Sequence, residues 1–141
     1  MHPPRNAIHL LLAGAMCLAS AALAQSAKPP GHDIATIDGG IGPCSLDLTV
    51  LSADGKPVYG AKVNVHIAYG FGGFHKLDLE ASTNIDGKVN FKGLPNRVRR
   101  PPLEFDASKD QLEGMATYDP AVECRAKHDI TLEKPKPPED K

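Results

Sequence analysis

Apolar and polar residues alternate with period two through most of the chain between Cys44 and Glu133. Cys44, Leu46, Leu48 and Val50 share one face of the first such stretch, which predicts a strand over 44–51. Asp54-Gly55 then turns the chain and Pro57 restricts it. A second strand over 61–68 points Val63, Val65 and Ile67 inward and Lys62, Asn64 and His66 outward. The loop Tyr69-Gly70-Phe71-Gly72-Gly73-Phe74 leads to a third strand over 75–81, with Leu77 and Leu79 inward. Asn84-Ile85-Asp86-Gly87 supplies the Asp-Gly pair that suits the φ > 0 positions of a tight hairpin. Val89 and Phe91 mark a strand over 88–92, and Leu103 and Phe105 one over 103–107. Strands over 114–118 and 123–133 complete seven, and 110–114 has room for one helical turn. Seven short strands with turn signals about every ten residues predict an all-β fold. The expected form is an antiparallel, Ig-like or prealbumin-like β-sandwich. A closed barrel would need longer or more numerous strands.

The ends of the chain read differently. Arg5, the apolar run from Ile8 to Leu23 and the small residues Ala22 and Ala24 predict a secretory signal over 1–24, cleaved before Gln25. The run is too short and alanine-rich for a stable membrane span, and Met16 before Cys17 argues against lipidation there. Residues 25–42 begin with a proline-containing, weakly apolar stretch and are expected to be extended. Residues 43–133 form the sandwich, and 134–141, KPKPPEDK, a solvated tail or spacer. The expected location is periplasmic or extracellular.

Loss of Arg5 with the leader leaves 15 basic against 17 acidic side chains, a near balance that gives no electrostatic case for nucleic acid. The same loss removes Cys17 and leaves Cys44 and Cys124. Each falls on the apolar face of its strand, so the pair is expected to form a disulfide closing most of the domain. With no tryptophan and few aromatics, the core rests mainly on Val, Leu and Ile, and the cross-link is expected to matter to stability.

DGKPVYGAKVNV followed by STNIDGKVNFKGLP resembles the carboxypeptidase regulatory-like domains of the transthyretin-like superfamily. Asp54, Gly55, Pro57, Val58, Gly60, Ala61 and Val63 match the first turn and strand of that family. Thr83, Asp86, Gly87, Phe91, Leu94 and Pro95 match its hairpin. The match covers 46–95 well and the remainder by strand count alone. The resemblance implies a non-catalytic unit of the kind that accompanies peptidases, envelope receptors and adhesins. The expectation is therefore a secreted binding module for a protein partner or envelope component, with no enzyme activity and no cofactor. A carbohydrate or small ligand on the glycine-aromatic loop is the alternative. The 69–74 insert, the arginine cluster and the lack of an attached catalytic domain depart from the family pattern.

Enzymes on related sandwiches can be tested against the residues. The transthyretin-like hydrolases end in Tyr-Arg-Gly-Ser, and this chain ends in PPEDK. Intradiol dioxygenases place two tyrosines and two histidines on iron. Tyr59, Tyr69 and Tyr118 and His32, His66, His75 and His128 show no closely spaced pair, so surface histidines are expected and no metal site. No G-x-S-x-G occurs. Asp78 with Glu80, and Glu104 with Asp106, are read as solvated outer faces. Two segments stand out as candidate sites. Tyr69, Phe71 and Phe74 lie among glycines that let a backbone approach a ligand, or the phenylalanines fold back to plug the sandwich end. Arg97, Arg99 and Arg100 are suited to clamp a carboxylate or phosphate, or to pair with Glu104 and Asp106.

Overall fold

A computed structural model describes residues 31–139. The predicted signal peptide lies outside them. Eight strands form two four-stranded sheets that pack face to face. They are β1 (Ala35–Asp38), β2 (Cys44–Ser52), β3 (Lys62–Tyr69), β4 (His75–Ser82), β5 (Lys88–Leu94), β6 (Leu103–Lys109), β7 (Leu112–Tyr118) and β8 (Arg125–Leu132). The first sheet has the order β1-β5-β2-β8 and the second β4-β3-β6-β7. The sandwich is as expected, with two differences. β1 adds an eighth strand inside the stretch read as an extended lead-in. Two pairs are parallel, β1 with β5 and β2 with β8, so the sandwich is not wholly antiparallel.

Alternation explains the core. Leu46, Leu48 and Val50 of β2 and Val63, Val65 and Ile67 of β3 are buried, and the residues between them face outward or lie at the margin. Phe91 and Phe105 meet edge to face at 5.1 Å, and Phe105 meets Tyr118 at 6.2 Å. The Phe91–Phe105 contact thus bridges the two sheets, and Phe105–Tyr118 joins neighbouring strands of one sheet. Asp110 and Gln111, both at positive φ, form the two-residue turn between β6 and β7 in place of the expected helical turn. Beside it, β7 approaches the end of β8 through paired backbone bonds between Glu113 and Glu133. Gly114 permits this, since a Cβ there would lie 2.4 Å from the Thr131 carbonyl oxygen.

The residues that carry the family resemblance tie turns together. The Thr83 hydroxyl donates to the Val58 carbonyl at 2.6 Å and accepts the Ala61 N–H at 2.9 Å. Asn84 Oδ1 accepts the N–H groups of Asp86 and Lys88, closing the hairpin. Gly87 sits at φ 71 against the Val50 carbonyl, which leaves no room for a side chain. Cys44 and Cys124 are bonded as expected, joining β2 to the residue before β8.

Candidate functional site

β3 and β4 form a hairpin whose register sets Tyr69 opposite His75 and His66 opposite Asp78. His66 and Asp78 both point outward. The imidazole Nδ1 contacts the Asp78 carboxylate closely, on an exposed face. That contact engages Nδ1, and among the described residues no hydrogen-bond partner contacts Nε2. Each residue was legible as outward-facing, whereas their pairing was not drawn from the sequence. The hairpin register carried the signal, since counting back three residues from Tyr69 and on three from His75 brings the two together.

The segment after β5 crosses over this face. The Arg99 N–H donates to the Ala68 carbonyl at 3.2 Å, and the Arg99 side chain packs where a Cβ on Gly73 would stand. A cleft of about 720 Å³ lies between the segment and the sheet. Arg99, Arg100 and Lys76 line it, with His66, Glu104 and Asp106 facing the same space and Val98, Pro101 and Pro102 giving apolar wall. A smaller hollow of about 260 Å³ continues along the sheet past His66 and Asp78. Among the described residues no carboxylate pairs with Arg97, Arg99 or Arg100, so the expected pairing with Glu104 or Asp106 is not made. Unpaired guanidinium groups facing a cleft are free to bind an anion bidentately.

The glycine loop also departs from one expectation. Phe71 is 94% exposed and Phe74 81%, so neither plugs the sandwich. A short 3-10 turn at Phe71–Gly73 holds the loop tight, with Gly70, Gly72 and Gly73 all at positive φ. Tyr69 behaves differently from its two companions. It is half-buried against the core and stacks on His75 at 5.3 Å. The candidate loop therefore divides into one packed tyrosine and two projecting phenylalanines.

No protein-family model matches the chain, and no curated protein does. Solved structures do share its fold. Catechol 1,2-dioxygenase from Pseudomonas arvilla C-1 aligns at 16% identity and TM-score 0.50 over 73% of this chain and 57% of that one. Chlorocatechol 1,2-dioxygenase from Pseudomonas putida aligns at 17% identity and TM-score 0.46, over 72% of this chain and 64% of that one. Hydroxyquinol 1,2-dioxygenase from Pseudomonas putida DLL-E4 aligns at 12% and 0.47, over 74% and 63%. The chain spans less than two thirds of the length of each. This likeness overturns the expectation of a non-catalytic binding module that is no enzyme. The sandwich is one that enzymes use, and residues that specify turns and core do not by themselves specify a task.

The residues present do not fit an iron centre of two tyrosines and two histidines. Tyr118 is buried with its hydroxyl donating to the Cys124 carbonyl at 2.7 Å, and burial, aided by Glu123 and Asp119, pushes its pKa up to about 12. Tyr69 is stacked on His75, and Tyr59 lies exposed with Lys109 Nζ 5.5 Å from its ring. His66 is on the opposite face of its strand from Tyr69, and His32 pairs with Asp86 at 2.7 Å. Among the described residues, no three His, Cys, Asp or Glu side chains gather to hold a metal ion.

Proposed function

We propose that this chain is an enzyme-type sandwich domain that takes a small anionic molecule in the cleft beneath Arg99 and Arg100 and exchanges a proton with it at His66. One observation carries the reading: a histidine held by a carboxylate opens onto the same cleft as two unpaired guanidinium groups. Arg99, Arg100 and Lys76 hold the anionic group, while Glu104 and Asp106 accept hydrogen bonds from the ligand's hydroxyl or ammonium donors. Asp78 orients the His66 ring so that Nε2 serves as the base. Export, with residues 1–24 removed, is part of this reading, and the Cys44–Cys124 disulfide supports an oxidising compartment.

The test is a thermal-shift and calorimetric screen of phosphate, aromatic carboxylates, hydroxy acids and amino acids. Saturable binding is expected from at least one class and is expected to be lost in R99A/R100A. For a ligand that is turned over, H66N should retain binding and lose turnover. Absence of binding from every class, or equal binding by R99A/R100A, sinks the proposal. With catechol and added iron, oxygen uptake is expected to be absent, because the tyrosine and histidine donors do not converge.

A further inference from the structure

The end of the sandwich that carries the cleft also presents two bare phenylalanines beside the arginines. Phe71 and Phe74 project from the loop between β3 and β4, whose backbone lines a second hollow together with Arg97 and Arg99. Two large apolar side chains left this open at one tip are unusual in a chain with few aromatics. The local charge is equally one-sided. Residues 68–77 and 93–103 contain Lys76, Arg97, Arg99 and Arg100 and no carboxylate, although the whole chain has a net charge of −1.

We propose that this tip docks on an anionic lipid surface. Phe71 and Phe74 enter the headgroup boundary, and Arg97 lies against the phosphates. Projecting aromatics flanked by unpaired cations match such a surface in both polarity and charge. The tight glycine turn sets the depth, because it holds the two rings only a few residues beyond the sheet. Among the described residues no helix is long and apolar enough to cross a membrane.

The proposal is independent of the ligand assigned to the cleft, because Phe71, Phe74 and Arg97 do not line it. Processed protein from an exporting host is sedimented with vesicles of phosphatidylglycerol and phosphatidylcholine, and with phosphatidylcholine alone. Binding is expected on the anionic vesicles and is expected to weaken with salt. F71A/F74A should lower partition at least about ten-fold, and R97E at least about five-fold. Both variants should keep the parent melting temperature, since all three side chains are exposed. Any apolar N-terminal residues left by incomplete processing are common to all proteins and cancel in the comparison. Equal binding to neutral vesicles, no sedimentation at all, or partition unchanged in F71A/F74A would overturn the proposal. An acidic protein partner at this tip would give the second of these results.

Discussion

Replacing Tyr118 with Phe isolates one hydroxyl at the centre of the end that holds the candidate sites. The ring is 2% exposed, and its hydroxyl, half-buried, donates to the Cys124 carbonyl at 2.7 Å. That carbonyl also accepts the Ser45 N–H at 2.8 Å, so removing the hydroxyl leaves no orphaned acceptor. The expected cost at pH 8 is therefore about 1 kcal/mol, without a further desolvation penalty. The pH dependence gives a sharper test. The phenol's pKa is raised from 10.0 to about 12, first by burial and then by the charges of Glu123 and Asp119. Above pH 10.0 the unfolded chain loses this proton while the folded chain keeps it. Stability is thus fully present below that pH and falls as pH rises through the window up to about 12. A two-unit shift caps the loss at about 2.7 kcal/mol, and solvent at the hydroxyl end reduces it to about 1–2 kcal/mol. Urea unfolding at pH 8, 10, 11 and 11.5 compares parent with Y118F. Lysines and the other tyrosines titrate in both proteins and cancel. The parent should begin about 1 kcal/mol more stable and lose that lead as pH rises. Curves that stay parallel from pH 8 to 11.5 would refute the account.

Two further outcomes test the scaffold. Cys44 and Cys124 are 80 residues apart in sequence, so C44A/C124A should lose about 4–5 kcal/mol in urea unfolding, less any strain relieved. Two free thiols found by non-reducing mass spectrometry in the parent protein would remove the premise. Gly87 and Gly55 both lie at positive φ, but only Gly87 has a carbonyl, that of Val50, 2.5 Å from where a Cβ would stand. G87A should cost more than about 2 kcal/mol and G55A about 1 kcal/mol, read as melting temperatures, and equal shifts would show that the contact is not what constrains the turn.

The alternating strands β2, β3 and β6 were legible because one side of each faces a dry core, and this period-two pattern records burial directly. β1 was not, because a four-residue edge strand half-buries only Ile37 and so leaves almost no pattern. The parallel pairing of β2 with β8 was hidden for another reason. Alternation says which face a residue takes and nothing about which strand lies beside it. Phe71 and Phe74 could be read from the sequence either as ligand contacts or as a plug for the sandwich end, and no local pattern decides between the two. Gly70, Gly72 and Gly73, all at positive φ, turn the chain there, and both rings project. The three arginines were found from composition alone. The setting of Arg99 and Arg100 beside His66 depends on how the 95–102 segment crosses the sheet, and no local pattern encodes that path.

The registers divide the molecule into two ends with different tasks. Lys62 lies opposite both Ser82 and Ser108, and β5 begins beside Thr49 of β2. The turns 53–61 and 83–87 therefore gather at one end, where Thr83, Asn84 and Gly87 bind them to each other. Thr83 and Gly87 are among the residues that made the sequence resemble a known domain family, and they do so by specifying the scaffold. Tyr69, Leu94, Leu103 and Tyr118 mark the other end, where Phe71, Phe74 and the arginines stand. At that end the loops tie to strands, the Arg99 N–H donating to the Ala68 carbonyl and the Ile41 N–H to the Gly93 carbonyl. Cys44, paired with Leu94, brings the disulfide there, and the Tyr118 hydroxyl adds its bond to Cys124. A covalent link and one buried phenol thus brace the sheets beneath the candidate sites at this end.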